Sequence, residues 1–525
     1  MASIILTGLA ANYPLPGVYE ELDFASGPAS GSGSARTAII LGNKTTAGTA
    51  TADTVIYGPD TAIPCQTEAD VINLFGTGSQ IHRAFLRFTA VNKVSSLYFI
   101  AVTESSGAAA TATETIATSA ASNGTHRLWC EDQFVDTPIS TGDNVTTIAG
   151  NIVANVNAQT RWPITASNVA GVITYTARNK GPEGNWINVQ ALITPGTSTI
   201  GTTTTLTANT ALSGGTTADV NTTALSTIAS GSFYYIIVCD SDATNVGRVV
   251  TQVNNNAAPT VGIRQRVVFG SSDTLANTIT TATGLNAARA ECVWNGGGAV
   301  DLTPLALAAN NAALYMLLEA GSPYGVARKN FSGFPTSAND ASYWQITAGR
   351  AGVGGAPTSA QLVSALNNGI SPISVNAKGA TYLVKRCTTR SLNGTTADYR
   401  IRDAHKVTVC DYWCDDVAAI TALQFGGKDL LPDPLPGQPA PPSTAVTPRM
   451  WANAIKMVTS EYGNAGQWSY SPGVTPQPTQ TPADVINANT IVQAETNPPT
   501  RMSALVPLSP VNIADQFALL AMQVG

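Results

Sequence analysis

Residues 405–416 hold the densest potential chemistry in this chain: His405, Cys410, Asp411, Cys414, Asp415 and Asp416. On a helix, Cys410 and Cys414 would share a face, and paired thiolates suit a soft metal. A tetrahedral site needs further ligands, and no second Cys pair or His pair completes one. The expectation is therefore that these cysteines are small buried apolar residues and that the acids are solvated. The neighbouring carboxylates Glu131-Asp132 could serve glycoside hydrolysis, but adjacent residues point in different directions. Gly349-Arg350-Ala351-Gly352-Val353-Gly354-Gly355 resembles a phosphate-binding loop, but no Lys-Ser/Thr follows it. The chain has three histidines (His82, His126, His405) and no G-x-S-x-G, Walker A, G-x-G-x-x-G or H-E-x-x-H pattern. No catalytic residue, metal or cofactor is expected, and the protein does not read as an enzyme.

The elements that would position these residues alternate between strand and helix. Ala38–Gly42, Ser96–Val102, Phe233–Cys239, Arg266–Phe269 and Ala290–Trp294 read as strands. Glu68–Gly76, Ile81–Val91, Ala243–Asn254, Thr274–Thr283 and Pro304–Ala320 read as helices. Such alternation implies βαβ units on a largely parallel sheet. Between the two halves, residues 104–229 turn rich in Thr, Ser, Ala and Gly, with strand patterns at Val172–Ala177 and Trp186–Gln190 and one helix, Asp143–Val156. This reads as an inserted, mostly β domain. Beyond Gly333 come helix Ser359–Asn367, a hairpin of Ile373–Val375 and Tyr382–Cys387, and helices Val409–Gln424 and Arg449–Tyr462. Two Pro-rich connectors, Pro432–Pro448 and Pro472–Pro482, cannot be helix or central strand. The predicted class is α/β (α+β overall). The predicted limits are 1–34 (arm and tether), 35–104 plus 230–332 (α/β core), 105–229 (insert), 333–510 (C-terminal domain) and 511–525 (strand arm).

The 525 residues suffice for roughly three domains. Only 11% are charged, against about a quarter in ordinary domains. A surface so weakly charged tolerates close contact with copies of itself. With a net charge of −6 and no Lys/Arg-rich run, nucleic-acid binding is not expected. No apolar run reaches the roughly 18 residues of a membrane span, so no membrane insertion is expected. The N-terminus lacks the basic region of a signal peptide. Seven scattered cysteines in no framework spacing favour free thiols made in a reducing cytosol.

Both ends carry strand-like segments. At the N-terminus Val18, Leu22 and Phe24 alternate with Tyr19, Glu21 and Asp23, and Glu20 breaks the apolar face. A Gly/Ser-rich tether, Ser26–Ser34, follows. At the C-terminus Phe517, Leu519, Leu520 and Met522 lie in a nearly unbroken apolar run behind Pro507 and Pro510. Apolar strand-like ends are costly to leave in water and invite pairing with another chain. The pattern is that of a protein that donates strands to its neighbours, with tethers at 26–34 and around Pro498–Pro510 giving freedom to rotate.

Leu362–Ile373 followed by Lys378–Thr389 gives a helix, a glycine-ended turn, a hairpin and then Arg386-Cys387-Thr388-Thr389. This order resembles the C-terminal domain of contractile phage tail sheath proteins. Pro16-Gly17-Val18-Tyr19, Thr176–Asn185 (TARNKGPEGN) and Asp398–Asp403 (DYRIRD) resemble the Mu-like branch, in an order covering nearly the whole chain. The resemblance implies a helical homo-oligomer around a tail tube, assembled in the host cytoplasm and residing in the virion tail. Its partners would be itself, the tube protein, and baseplate and tail terminator proteins. It implies that the arms add strands to neighbouring subunits, that the outer domains have no enzymatic role, and that contraction drives the tube through the host envelope without nucleotide. The expected acceptor is the hairpin with Ile373, Val375, Tyr382 and Val384. The expected tube contact is Arg449, Lys456 and Glu461. Rival readings are another virion structural protein, such as a tail-tube or capsid subunit, and a β-rich carbohydrate-binding or carbohydrate-degrading surface protein.

Overall fold

A computed structural model describes residues 36–258, 261–296, 301–321, 356–375, 381–470, 477, 479–494 and 502–511. The predicted N-arm, all but the first residue of the predicted C-arm, and the glycine loop 349–355 lie outside the described residues.

In chain order the first half of the core supplies β1 (Ala38–Asn43), α1 (Glu68–Phe75), α2 (Gln80–Val91) and β2 (Leu97–Val102). The insert supplies β3 (Ala109–Thr115), β4 (Gly124–Cys130), β5 (Gln133–Ile139), α3 (Val145–Asn157), β6 (Ile164–Val169), β7 (Val172–Lys180), β8 (Asn188–Thr194), the single turn α4 (Thr197–Ile200) and β9 (Thr210–Ala211). The core resumes with α5 (Thr222–Ile228), β10 (Tyr235–Val238), α6 (Ala243–Asn256), β11 (Arg266–Ser271), α7 (Leu275–Leu285), β12 (Ala290–Trp294) and α8 (Pro304–Gly321). Then come α9 (Ser359–Asn367), β13 (Ile370–Val375) and β14 (Thr381–Leu383).

The seven core strands form one sheet in the order β14-β13-β12-β11-β10-β1-β2. Neighbours are parallel except for the antiparallel edge pair β13–β14. Continuous apolar runs such as Ile39-Ile40-Leu41 and Tyr235–Val238 are buried throughout, as a sheet covered on both faces requires. One face packs on α1, α2 and α8 through Val71, Phe85, Phe88 and Leu307. The other packs on α5, α6, α7 and α9 through Leu225, Val249, Ala282 and Ala365. Each such buried Val, Leu or Phe side chain contributes about 2 kcal/mol. Local chemistry sets the helix ends. Thr67 and Asp70 form a capping box on α1, and Gly76, at φ 82°, stops it in a conformation that favours glycine. Residues 53–58 cover the β2 edge: Asp53 N–H donates to the Ala101 carbonyl at 2.7 Å, and Tyr57 pairs with Phe99.

The insert has an apolar core of its own, drawn entirely from residues 110–212. Its sheets, β3-β7-β6 and β5-β4-β8-β9, enclose α3, whose Ile148, Ile152 and Val156 face inward. At its centre Glu114 accepts hydrogen bonds from Tyr175 (2.5 Å) and Thr204 and pairs with His126 at 2.7 Å. The mostly β character expected for this stretch is present.

The remaining elements are the hairpin β15 (Leu392–Asn393) and β16 (Thr396–Ala397), α10 (Ala404–Phe425), β17 (Asp429–Leu430), β18 (Ala445–Val446), α11 (Pro448–Asn464), α12 (Pro482–Ala488), β19 (Ile491–Ala494) and β20 (Met502–Leu505). Their core joins Val409, Tyr412 and Trp413 of α10 to Ile455, Val458 and Tyr462 of α11, with Trp468 stacked on Tyr462 at 5.7 Å. Two differences from the sequence reading stand out. The core sheet runs past residue 333, because β13 and β14 complete it and the separate C-terminal core begins only at α10. Helix α10 also starts five residues before the expected Val409, where Ala404 N–H donates to the Arg386 carbonyl and Asp403 pairs with Lys385 at 2.9 Å. Tertiary contacts set that start, and the local sequence does not show them.

Candidate assembly surfaces and arm roots

The residues with chemical potential are tied to structural partners. His405 is buried, and its Nε2–H donates to the Val511 carbonyl at 3.0 Å. Burial pushes its pKa down to about 4, so the ring is neutral. Of the acids expected to be solvated, Asp411 is buried, and Asp415 and Asp416 are half-buried with protein partners. Asp411 is 3% exposed and accepts from Arg289 at 2.9 and 2.6 Å and from the Tyr234 hydroxyl at 3.0 Å. Asp415 pairs with Arg36 and Arg264, and Asp416 accepts from Tyr462 at 2.7 Å. These partners come from distant segments, so no local pattern reveals them. Burial pushes the Cys410 thiol up to about 12 and raises that of Cys414. Among the described residues no three His, Cys, Asp or Glu side chains are grouped to hold a metal. Glu131 and Asp132 are equally committed. They receive Arg83 and Arg87 of α2 and so pin the β4–β5 turn of the insert onto the core.

The motifs at Arg386–Thr389 and Thr176–Asn185 turn out to be joints. Arg386 lies buried, donates twice to Glu291 at 2.9 Å, and stacks 3.6 Å over the Tyr315 ring. Arg266 meets the same carboxylate at 2.7 Å and reaches the Ala404 carbonyl and the Thr408 hydroxyl of α10. Thr388 and Thr389 bond to Ile401, Arg402, Ala287 and Ala290. The Arg-x-Thr-Thr run therefore fastens β12, the 401–403 stretch and the start of α10 together. A buried pair of this kind is costly to break from one side, because the other charge stays desolvated.

TARNKGPEGN joins the insert to the C-terminal ends of β1 and β10. Asn179 donates to the Lys44 carbonyl (2.9 Å) and accepts from Gln80 N–H (3.1 Å). Glu183 accepts from Ser241 N–H and hydroxyl at 2.7 and 2.5 Å. Asp219 accepts from Asn43 and from Ser105 N–H, both at 2.6 Å. The strand order reverses between β1 and β10, and open α/β sheets bind ligands at that crevice. Here the insert's own side chains fill it. Burial raises the pKa of Glu183 and Asp240, which hydrogen-bond each other, and raises Asp219 to about 6.

The sequence-predicted acceptor hairpin exists, with Ile373 opposite Leu383, Ser374 opposite Tyr382 and Val375 opposite Thr381. Val384 extends it, donating to the Pro372 carbonyl at 2.9 Å. Ile373 and Leu383 are fully buried in the core, while Tyr382 and Val384 are half-buried. A second hairpin, β19–β20, lies far more open. Ile491 sits directly opposite Leu505, and the two are 56% and 66% exposed. Among the described residues neither of its outer edges pairs with another strand. An isolated two-stranded ribbon is marginal in water. Only Val492 and the adjoining Val506 and Leu508 pack inward.

The sequence reading placed a loose tether around Pro498–Pro510. The part from 502 to 511 is instead paired: Ser469 N–H donates to Ser509 and Val511 N–H donates to Gln467, both at 2.8 Å. The β-branched pair Ile491-Val492 was the one local strand signal, and the prolines obscured it.

On α11, Arg449, Asn453, Met457, Glu461 and Asn464 form an exposed stripe. Two of the three expected tube-contact residues, Arg449 and Glu461, lie on it. Lys456 is half-buried beside it.

No family model matches the chain. Over 189 residues it is 28% identical to the Mu-like prophage FluMu tail sheath protein of Haemophilus influenzae. The chain is similar to a tail sheath protein. The family resemblance carried by the motifs therefore has a counterpart in this relative. The match covers 36% of this chain and 37% of that protein, less than two thirds of either. Among solved structures, a sheath tail protein from Listeria innocua aligns with a TM-score of 0.46 at 12% identity, covering 92% of this chain and 93% of its own. The sheath complex of an extracellular contractile injection system in its contracted state aligns with a TM-score of 0.46 at 11% identity, covering 97% and 98%.

Proposed function

We propose that this chain is the structural subunit of a contractile phage tail sheath, without catalytic activity, that polymerises helically around a tail tube in the virion. The observation that carries the reading is its similarity to the Mu-like prophage tail sheath protein. The open β19–β20 ribbon supports it physically. Strand addition supplies main-chain hydrogen bonds, and alternate side chains give specificity. In this reading residues 18–24 and 517–522 of neighbouring copies extend sheets of the subunit. The β19–β20 ribbon is the better acceptor and the Ile373/Leu383 edge the lesser, since the latter is already buried. Head-to-tail contacts that do not close produce a helical filament. The extended form stores free energy that contraction releases, and the process needs no nucleotide.

The test is electron microscopy of the purified full-length protein beside a chain lacking residues 514–525, each with and without tube protein. Hollow helical tubes that vanish on truncation are expected. Normal tubes from the truncated chain would sink the arm reading. In the same preparations, reversing charge at Arg449 and Glu461 is expected to weaken assembly templated by the tube while sparing self-assembly. Unchanged templating would remove α11 from the tube interface.

A further inference from the structure

The two arm roots meet on one helix. At the N-terminal root, the Arg36 guanidinium lies between two aromatic rings, 4.0 Å from the centroid of Tyr234 and 4.0 Å from that of Tyr412. The Asp415 carboxylate is 3.0 Å away, an ion pair without an aligned hydrogen bond. Only 14% of the Arg36 side chain is exposed. A planar guanidinium suits such a slot, because it stacks on both ring faces and stays charged. The next residue, Thr37, is held as well: its carbonyl accepts from Tyr234 and Tyr235 N–H at 3.0 and 3.2 Å.

At the C-terminal root, Val511 is gripped from both sides. Its N–H donates to the Gln467 carbonyl, and its carbonyl accepts from His405. Tyr412 and His405 are seven residues apart on α10, so they lie on one face and roughly 10 Å apart along the axis. Between them, Thr408 and Asp411 tie the helix to Arg266 and Arg289 of the core.

We propose that α10 is the common mount of both arms, with the Arg36 slot and His405 as its two fastenings. A pull on one arm then passes to the other through two turns of a single helix, bypassing the insert and most of the core sheet. The proposal rests on the sheath reading for its purpose, but its mechanics belong to the single subunit and can be measured there.

The experiment is hydrogen exchange on full-length, unassembled Arg36→Ala, Arg36→Lys and wild-type protein. Peptides covering 405–416 and 508–511 are followed. Arg36→Ala is expected to speed exchange at 508–511 by roughly tenfold although the substitution lies at the opposite root, because local opening of α10 releases both. Arg36→Lys, which keeps the charge but not the stacking plane, should fall between. Acceleration confined to residues 36–40 and 234–235 would overturn the shared mount. If Arg36→Ala does not fold, Tyr412→Leu removes one face of the slot and carries the same two outcomes. Wild-type protein that makes no tubes would overturn the sheath reading and leave the exchange result standing, so the two failures are distinguishable.

Discussion

The insert and the C-terminal region are of similar size but complete their sheets differently. The insert has a core drawn from residues 110–212 alone, and at its buried polar centre the Glu114 carboxylate is held by His126, Tyr175 and Thr204. It meets the core through ionic and polar joints such as Arg83–Glu131, Asn179–Lys44 and Glu183–Ser241. Both regions expose aliphatic side chains, Val169 at 77% in the insert and Leu423 at 86% in the C-terminal region, but the C-terminal region also carries the Ile491–Leu505 pair on a two-stranded ribbon that, among the described residues, joins no larger sheet. The insert's strands lie in three- and four-stranded sheets over a core of their own, whereas an isolated ribbon gains by acquiring a partner strand.

The most direct way to break this comparison is to place the same chemical insult in both regions. Ile491→Asp with Leu505→Asp should abolish tube formation, since charge on the ribbon face opposes any incoming strand. The monomer should lose about 1–2 kcal/mol, because both side chains are already exposed but the two carboxylates would face each other across the ribbon. Phe134→Asp with Leu192→Asp, at exposed positions of the insert, should leave tube formation intact. Equal loss of tubes from both pairs, scored by electron microscopy, would erase the distinction.

The next effect concerns the joint. Arg83→Met strands the buried Glu131 carboxylate with only Arg87 nearby. Such one-sided removal typically costs about 3–5 kcal/mol. In thermal unfolding the insert should then separate from the core as an earlier transition, while tubes still form below it. A single unshifted transition would mean that the ion pairs carry little of the docking.

How much of this was legible in the sequence depended on the range of the interaction. The alternation of Phe233–Cys239, Arg266–Phe269 and Ala290–Trp294 with helical runs announced the core sheet, because burial on both faces leaves continuous apolar strands. Helix Ser359–Asn367 was readable to the residue because Thr358 and Gln361 form a local capping box. The start of α10 was missed because its determinants, Arg386 and Lys385, act through the tertiary fold. The continuation of the sheet into β13 and β14 was hidden for the same reason. Asp411 and Glu131 looked like surface acids because their arginines lie far along the chain. The β19–β20 ribbon was missed for a different reason, since Pro498 and Pro499 suggested a tether and masked the strands on either side. Two of the motifs recognised by resemblance, Arg386–Thr389 and Thr176–Asn185, proved to be long-range joints, whose role could not be derived from their own spacing.

The smallest predicted effect separates the regions by the sign of their pH response. Asp219, at the insert joint, has its carboxyl raised by burial to about 6, and Glu183 and Asp240 are raised beside it. A carboxyl whose folded pKa exceeds its unfolded one holds its proton more tightly when folded. Its stabilisation is complete below about pH 4 and is lost as pH rises through 6. His405, at the C-terminal root, is lowered to about 4. There the unfolded ring binds protons more readily, so stability is full above about pH 6.5 and is lost as pH falls toward 4. Shifts of this size correspond to at most about 3 kcal/mol each. Acidifying from pH 6.5 to 4.5 should therefore slow exchange, after correction for the intrinsic rate, at the 241–246 amides next to Glu183 and Asp240. The same step should speed exchange at 508–511, and His405→Gln, which keeps a donor but cannot be protonated, should remove only that second response. Parallel changes at both places would mean that a global transition dominates and that the two regions are not separately poised.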